Sequence, residues 1–321
     1  MSIQDDIKAA IAKALQDIPC VIGWGAGPEP LRATPLFMRN AADVENFTAG
    51  FLAVNNPALY LPSCKGVKTA LVVKGCDARS VGQLVAENLV KRDELYLIGY
   101  PCSGVIDVDK VAARLEGKCE PGEVTRLREE NEDVILDTPG GEVRLAKKDI
   151  AADKCARCRY PNAESADVFI GEKRAPVVDQ DEYADLADFE KLSLEERKAF
   201  WEKELSRCIR CYACRNACPL CVCRDHCVAS SREPHWLTQA DGVRDKLFFQ
   251  LIHATHLAGR CTGCGECERA CPVGIPVLTL KRAFSRQVED MFGYMAGIDV
   301  NTTPPLLTFR LEEPEIKERE W

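Results

Sequence analysis

Two stretches of this chain repeat one cysteine spacing: Cys208-x2-Cys211-x2-Cys214-x3-Cys218-Pro219 and Cys261-x2-Cys264-x2-Cys267-x3-Cys271-Pro272. Three thiolates two residues apart wrap a tight loop around one corner of a cubane. The fourth, carried past a turn and followed by proline, points away from it. This is the spacing of a bacterial-type 4Fe-4S run, whose fourth cysteine serves the other cluster of a pair. The expected ligand sets are therefore Cys208, Cys211, Cys214 and Cys271 for one 4Fe-4S cluster, and Cys261, Cys264, Cys267 and Cys218 for the other. Structural zinc also uses C-x2-C pairs, but a zinc site closes with four ligands and gains nothing from a triplet.

Eighteen of 321 residues are cysteine. A chain of this length buries a full core and does not need the covalent staples of small secreted domains. The N-terminal SIQDDIKAAIAKALQD carries two early aspartates and no cleavage site after an apolar stretch, so it does not read as a secretion signal. The expectation is a cytoplasmic protein whose thiols bind metal. With 42 basic against 50 acidic residues the net charge is −8, which argues against a nucleic-acid partner. The uncharged window Asn46 to Cys64 is long enough to cross a bilayer, but Asn55, Asn56, Pro57 and Pro62 interrupt it, so no membrane span is expected.

The fold expected is α+β. A mixed α/β N-terminal domain spans 1–175, an acidic linker 176–192, an α-helical dicluster ferredoxin domain 193–280, and a C-terminal helix and tail 281–321. Ser2 to about Ile18 has helical period, with Ser2 as N-cap. The Gly23–Pro28 stretch GWGAGP superficially resembles a dinucleotide loop, but has no third glycine at the required offset and no strand-loop-helix context, and reads as a turn. Thr69–Val73, Ser80–Leu89 and Glu94–Ile98 read as strand, helix and strand, one βαβ unit. Residues 120–145 read as a hairpin around Pro139-Gly140-Gly141. Ser193-Leu-Glu-Glu196 is a capping box opening a helix into Cys208. Val243, Leu247, Phe248, Leu251, Ile252 and Thr255 mark a second helix, ended by Gly259 before Cys261. Helix then cysteine run, occurring twice, resembles the α-helical ferredoxin domain of heterodisulfide reductase and succinate dehydrogenase iron-sulfur subunits, over roughly Ser193 to Pro276.

Cys76 ends the first strand in LVVKGCDARS, Cys102 follows the second in LIGYPCSG, and Cys155 and Cys158 form a C-x2-C pair in DKCARCRYPN. Ligands of α/β folds gather at the carboxyl ends of strands, and four thiolates are what one cluster needs. The stretches Lys74-Gly75-Cys76-Asp77, Gly99-Tyr100-Pro101-Cys102, and Cys155-Ala-Arg-Cys158 running into Ala166–Gly171 resemble the β subunit of deazaflavin-reducing hydrogenase and its formate dehydrogenase relatives, over roughly 60–175. The resemblance implies a third 4Fe-4S cluster on Cys76, Cys102, Cys155 and Cys158, beside a flavin. Gly75 stands where that family has a proline.

Six cysteines remain. Cys221, Cys223 and Cys227 crowd within seven residues and would repel one another as thiolates unless a cation held them, so they are candidates for a fourth metal centre, closed by His226 or Cys64. Cys20 and Cys119 read as ordinary thiols. Cys214-x3-Cys218-x2-Cys221 overlaps a radical S-adenosylmethionine spacing but reuses cysteines already placed. Arg207, Arg210, Arg215, Arg260 and Arg269 flank the runs, where positive charge raises cluster potentials or presents a docking surface. Spacing gives His235, His253 and His256 no role.

No Ser-His-Asp set, Walker loop or catalytic carboxylate pair is visible. The function expected is an iron-sulfur electron-transfer subunit of a cytoplasmic anaerobic oxidoreductase complex. It would relay electrons between a dehydrogenase or hydrogenase partner and a flavin, ferredoxin or heterodisulfide-reductase-like acceptor. Two alternatives stand beside it: a flavin-dependent subunit that itself reduces or oxidises a soluble carrier such as a deazaflavin or nicotinamide, and a zinc-stapled scaffold.

Overall fold

A computed structural model describes residues 2–177, 182–223, 227, 228, 238, 240–309, 311 and 312. The first helix, Ile3–Ala14, opens on Ser2 in a capping box with Asp5, and its apolar stripe buries Ile7 and Ile11 in the first core cluster. That cluster packs on a mixed sheet of β1 (Val21–Ala26), β2 (Ala33–Met38), β3 (Phe47–Thr48), β4 (Thr69–Val73), β5 (Leu95–Gly99) and β9 (Val168–Phe169). The order is β2-β1-β4-β5-β9, with β3 also against β1. The run β1, β4, β5, β9 is parallel, and Val73 pairs with Gly99, so the carboxyl ends of β4 and β5 lie level. A separate antiparallel meander holds β6 (Arg126–Glu130), β7 (Asp133–Thr138) and β8 (Gly141–Ala146), turning between β7 and β8 at Pro139-Gly140 as expected.

Two local expectations are corrected. The Gly23–Pro28 stretch is mostly strand β1 and not a turn. Its glycines are thin places under neighbouring side chains: an added Cβ at Gly23 would lie 2.9 Å from Phe47 and one at Gly25 3.2 Å from Leu36. Between them Trp24 is buried and donates its indole N–H to the Asn55 carbonyl at 2.9 Å. The helix expected over Ser80–Leu89 runs from Gly75 to Ala86. Asp77 accepts from the Lys74 amide at 3.0 Å, which starts it early, and Asn88, at a φ of 55°, takes the chain out of helical geometry.

The C-terminal half is helical: Leu194–Ser206, Val243–His256 and Val277–Phe292, with single-turn helices Ala213–Asn216 and Glu266–Arg269 inside the cysteine runs. The capping box on Ser193 is present. Trp201, Leu205, Phe249, Ile275 and Leu278 form the core, each such burial contributing about 1.5–3 kcal/mol. The apolar stripe read over 243–255 is not the buried face. Phe248 and Leu251 are 39% and 41% exposed, while Lys246, Phe249, Gln250 and His253 point inward. Lys246 and Gln250 of that inward face line the cavity of the first cysteine run, where Gln250 donates to Cys214 Sγ.

The halves are tied together by polar contacts. Arg260 grips Glu87 through two bonds of 2.7 and 2.5 Å, and the Ser80 and Thr262 hydroxyls meet at 2.8 Å. After Phe292 the chain wraps back: Tyr294 donates to Gln83 at 2.8 Å and Arg79 donates to the Ala296 carbonyl at 3.2 and 3.0 Å. Gly297, at a φ of 69°, passes so near that a Cβ there would lie 1.9 Å from the Arg79 carbonyl oxygen. In the stretch read as an acidic linker, the described residues include buried Leu186, and Asp185 takes two 2.6 Å bonds from Arg282. No helix among the described residues is long and apolar enough to cross a membrane.

Candidate metal centres

The structure brings the expected sulfur sets together. Cys208, Cys211, Cys214 and Cys271 line one cavity with Phe249 and Gln250. Cys211 is exposed at its mouth and Cys214 is buried at its base. Donors face the sulfurs: the Arg210 amide reaches Cys208 Sγ at 3.4 Å, the Ile275 amide reaches Cys271 Sγ at 3.4 Å, and the Gln250 amide group reaches Cys214 Sγ at 3.6 Å. Left-handed backbone at Arg210 and Tyr212 turns the loop so that these sulfurs converge.

Cys218 leaves that set and joins the other run. It acts electrostatically on Cys261, Cys264 and Cys267 together. The crossover of fourth cysteines read from the spacing is thus present in space. Burial pushes the Cys264 thiol up to about 12, with Cys218 and Glu266 adding to the effect. Such a thiol ionises only when a cationic core takes the place of its proton, which is what a bound iron-sulfur core does.

The third set lies where the parallel strands end. Cys76 sits on the first turn after β4, Cys102 three residues beyond β5, Cys155 on the Asp153–Ala156 turn and Cys158 two residues past it. All four line one cavity of about 250 Å³. The Gly104 amide donates to Cys102 Sγ and the Val105 amide to Cys155 Sγ, both at 3.4 Å. Burial pushes Cys102 up to about 12. Tyr100 Oη is buried with no hydrogen-bond partner, and it feels Cys102 and Cys76. An orphaned hydroxyl near two of these thiols fits a sulfide-bearing group, which would accept from it. A Cβ on Gly75 would lie 1.8 Å from the Tyr160 carbonyl oxygen, so the loop after Cys158 leaves no room for a proline ring either.

Basic side chains outnumber acidic ones in the lining of this cavity: Lys74, Arg79, Lys147, Lys154, Arg157 and Arg282 among them, against Glu132 and Glu182. Thr262 and Gly263, between two ligands of the second set, also line it, so the second and third sets are adjacent.

The fourth candidate is less complete. The Cys221 thiol, which burial pushes up to about 12, feels Cys218, Cys223 and Cys227. Cys64, expected to close this trio, lies beside Cys20, and both pack against the core cluster that also holds Leu220 and Val222. His226 and His235 lie outside the described residues. Among the described residues no three His, Cys, Asp or Glu groups converge on a single ion.

The flanking arginines are mostly internal ties. Arg207 pairs with Glu204, Arg260 with Glu87, Arg269 with Glu266 at 2.8 Å, and Arg210 and Arg215 donate to the Ala240 and Cys223 carbonyls. Two lysines that spacing did not single out, Lys154 and Lys281, each act on sulfurs of two sets. Lys154 donates to the Cys264 carbonyl and feels Cys76, Cys155 and Cys264. Lys281 is 2% exposed, feels Cys267, Cys218, Cys261 and Cys214, and meets His253 Nε2 at 3.4 Å.

His253 itself is buried and stacked near Phe249. Burial, then Lys281, lower its pKa from 6.5 to about 2. The folded protein therefore keeps this imidazole neutral while the unfolded chain binds a proton below 6.5, so stability is lost as pH falls through that value. Moving from pH 7.5 to 5.5 should cost about 1.4 kcal/mol from this group. Thermal unfolding followed anaerobically at both pH values checks it: His253→Gln should show the smaller acid-induced drop.

Comparison with known proteins bears on both halves of the chain. Residues 66–187 match the family described as the C terminus of the coenzyme F420 hydrogenase/dehydrogenase beta subunit, and residues 204–275 match the 4Fe-4S dicluster domain. The resemblances read from the Cys76, Cys102 and Cys155–Cys158 motifs and from the paired runs both hold. The chain is similar to the F420-dependent formate dehydrogenase subunit beta of Methanocaldococcus jannaschii, 27% identical with 89% of each chain covered. It is similar also to the F420-dependent formate dehydrogenase 1 subunit beta of Methanococcus maripaludis, 23% identical over 89% of this chain and 88% of that one. Among solved structures, one chain of the F420-reducing NiFe hydrogenase complex from Methanosarcina barkeri overlaps 51% of this chain and 64% of its own length, with 16% identity and a TM-score of 0.42.

Proposed function

We propose that the chain is the electron-relaying β subunit of a cytoplasmic formate dehydrogenase or hydrogenase complex, with a deazaflavin as the carrier served at the basic cavity. The observation that supports it is the arrangement of sulfur in series. The cavity set, the Cys218/261/264/267 set and the Cys208/211/214/271 set follow one another, with one lysine side chain between neighbours. Cys211 at the surface opens the far end to a partner. Twelve cysteines would hold three 4Fe-4S clusters, each supplying one-electron storage.

The protein's own contribution is placement and exclusion of water. Backbone amides and Gln250 donate to sulfur, which favours the more negative, reduced state of a bound cluster. The cavity's cations suit a phosphate-bearing flavin or deazaflavin, and a flavin there would turn hydride pairs into single electrons. That second reading, a flavin-dependent subunit acting on a soluble carrier, rests on the cavity's size and charge.

Iron and acid-labile sulfide in anaerobically purified protein test the reading. Counting four irons per cubane, about twelve per chain are expected; about eight would leave only the paired runs occupied, and about sixteen would add a centre at Cys221, Cys223 and Cys227. Colourless protein with stoichiometric zinc ends the proposal. Parallel incubation with reduced coenzyme F420, NADH and reduced ferredoxin then identifies the carrier by which one bleaches the cluster absorption.

A further inference from the structure

The buried and half-buried lysines of the described residues follow a rule with two exceptions, buried Lys281 and half-buried Lys154. Lys74 pairs with Asp77 at 2.8 Å, Lys147 with Glu129 at 2.7 Å, and Lys246 with Asp241 at 2.6 Å. Lys154 and Lys281 are held differently. Lys154 donates to a backbone carbonyl, that of Cys264. Lys281 meets the ring nitrogen of buried His253, whose other nitrogen has no partner. An ammonium has no lone pair to offer, so His253 Nε2 must be the acceptor and the imidazole neutral. Both lysines are thus anchored by neutral acceptors, and among the described residues neither is ion-paired with a carboxylate. Glu266, which also acts on Lys154, is taken bidentately by Arg269 at 3.0 and 2.8 Å.

Their positions are equally particular. Lys154 lies between the cavity set and the middle set. Its stem crosses Gly265, where an added Cβ would sit 2.7 Å from Lys154 Cδ, so the glycine after Cys264 is what admits it. Lys281 lies between the middle and outer sets. An unpaired buried cation is costly unless an anion faces it, and here the anions are the sulfur sets themselves.

Resting on the relay reading above, we propose that Lys154 and Lys281 are charge-compensating residues of the two gaps, each raising the reduction potentials of the clusters on either side of it. Reduction adds one electron from the donor to a cluster and takes no proton from either lysine; both ammoniums begin and end charged. A carboxylate partner would cancel the charge that the clusters need, which accounts for the neutral anchors. These are positioning residues, and they touch no carrier.

The test is potentiometric titration followed by EPR on the anaerobic holo-protein, with iron measured on every sample. Lys281→Gln keeps a donor for His253 and removes the charge. It should lower the reduced-to-oxidised ratio of the middle and outer centres at fixed poise by about tenfold, a shift of about 59 mV for a one-electron couple, and leave the cavity centre alone. Lys154→Gln should shift the cavity and middle centres and spare the outer one. Lys281→Arg and Lys154→Arg should stay at wild-type potentials. Should Lys281→Gln lose iron, His253→Glu retains the lysine and neutralises it by pairing, and must shift the same two centres. Unmoved potentials, or Arg variants that shift as far as Gln variants, overturn the proposal while intact iron and EPR signals leave the relay standing. Absent clusters in the wild type would instead remove the relay reading itself.

Discussion

Cys264→Ser is expected to divide the relay in two. Cys264 is buried in the middle set, its sulfur grouped with Cys218, Cys261 and Cys267 and its carbonyl bonded to Lys154. Losing an outer-shell partner of a metal site already costs 10–100-fold in affinity or activity, so loss of the ligand itself should slow electron flow through the assembled complex by roughly 100-fold or more. The partner subunit's own reduction of a viologen dye should be unchanged, since that half-reaction does not cross this chain. Iron should fall toward about eight per chain, and the EPR signals of the cavity and outer centres should survive. Wild-type flow in a variant lacking the middle signal would mean that electrons do not traverse the three sets in order.

Legibility in the sequence divides along physical lines. The grouping of the sulfurs was legible because a cubane-binding run fixes cysteine spacing over a dozen residues, and even the exchange of Cys218 and Cys271 between runs follows from that local geometry. Cys76 and Cys102 were legible because parallel strands such as β4 and β5 end level with one another. Periodicity found the helix Val243–His256 but not which side of it is buried: Phe248 and Leu251 stay exposed, and a helix beside sulfur turns donors such as Gln250 inward. Glycines in GWGAGP looked like a turn because nothing local announces that Phe47 and Leu36 will lie on them. Lys154 and Lys281 were invisible for the same reason. Lys154 meets its acceptor 110 residues away, and a lysine on a helix is by default a solvated charge.

Lys74→Met should be the most destabilising single change in the N-terminal half. Lys74 and Asp77 are 0% and 1% exposed, and their 2.8 Å contact ends β4 immediately before Cys76. The ammonium also lies 4.0 Å over the Trp24 ring and shares the Asn55 carbonyl with the Trp24 indole. Burial raises the Asp77 carboxyl and Lys74 opposes that rise, so without the lysine a carboxylate remains in the core without its main counter-charge. Breaking a buried pair from one side costs about 3–5 kcal/mol, or roughly 10 °C in apparent melting temperature for a unit of this size. Because Asp77 also caps the Lys74 amide at the start of the helix that carries Cys76, iron in the cavity centre should fall as well. The companion variant separates charge from packing. Lys74→Met with Asp77→Leu removes both ions, and replacing a buried pair by apolar groups is often close to neutral, so most of the lost stability should return. If the single variant melts within about 1 kcal/mol of wild type, Asp77 has taken up a proton at little cost and the pair is not what fixes the end of β4.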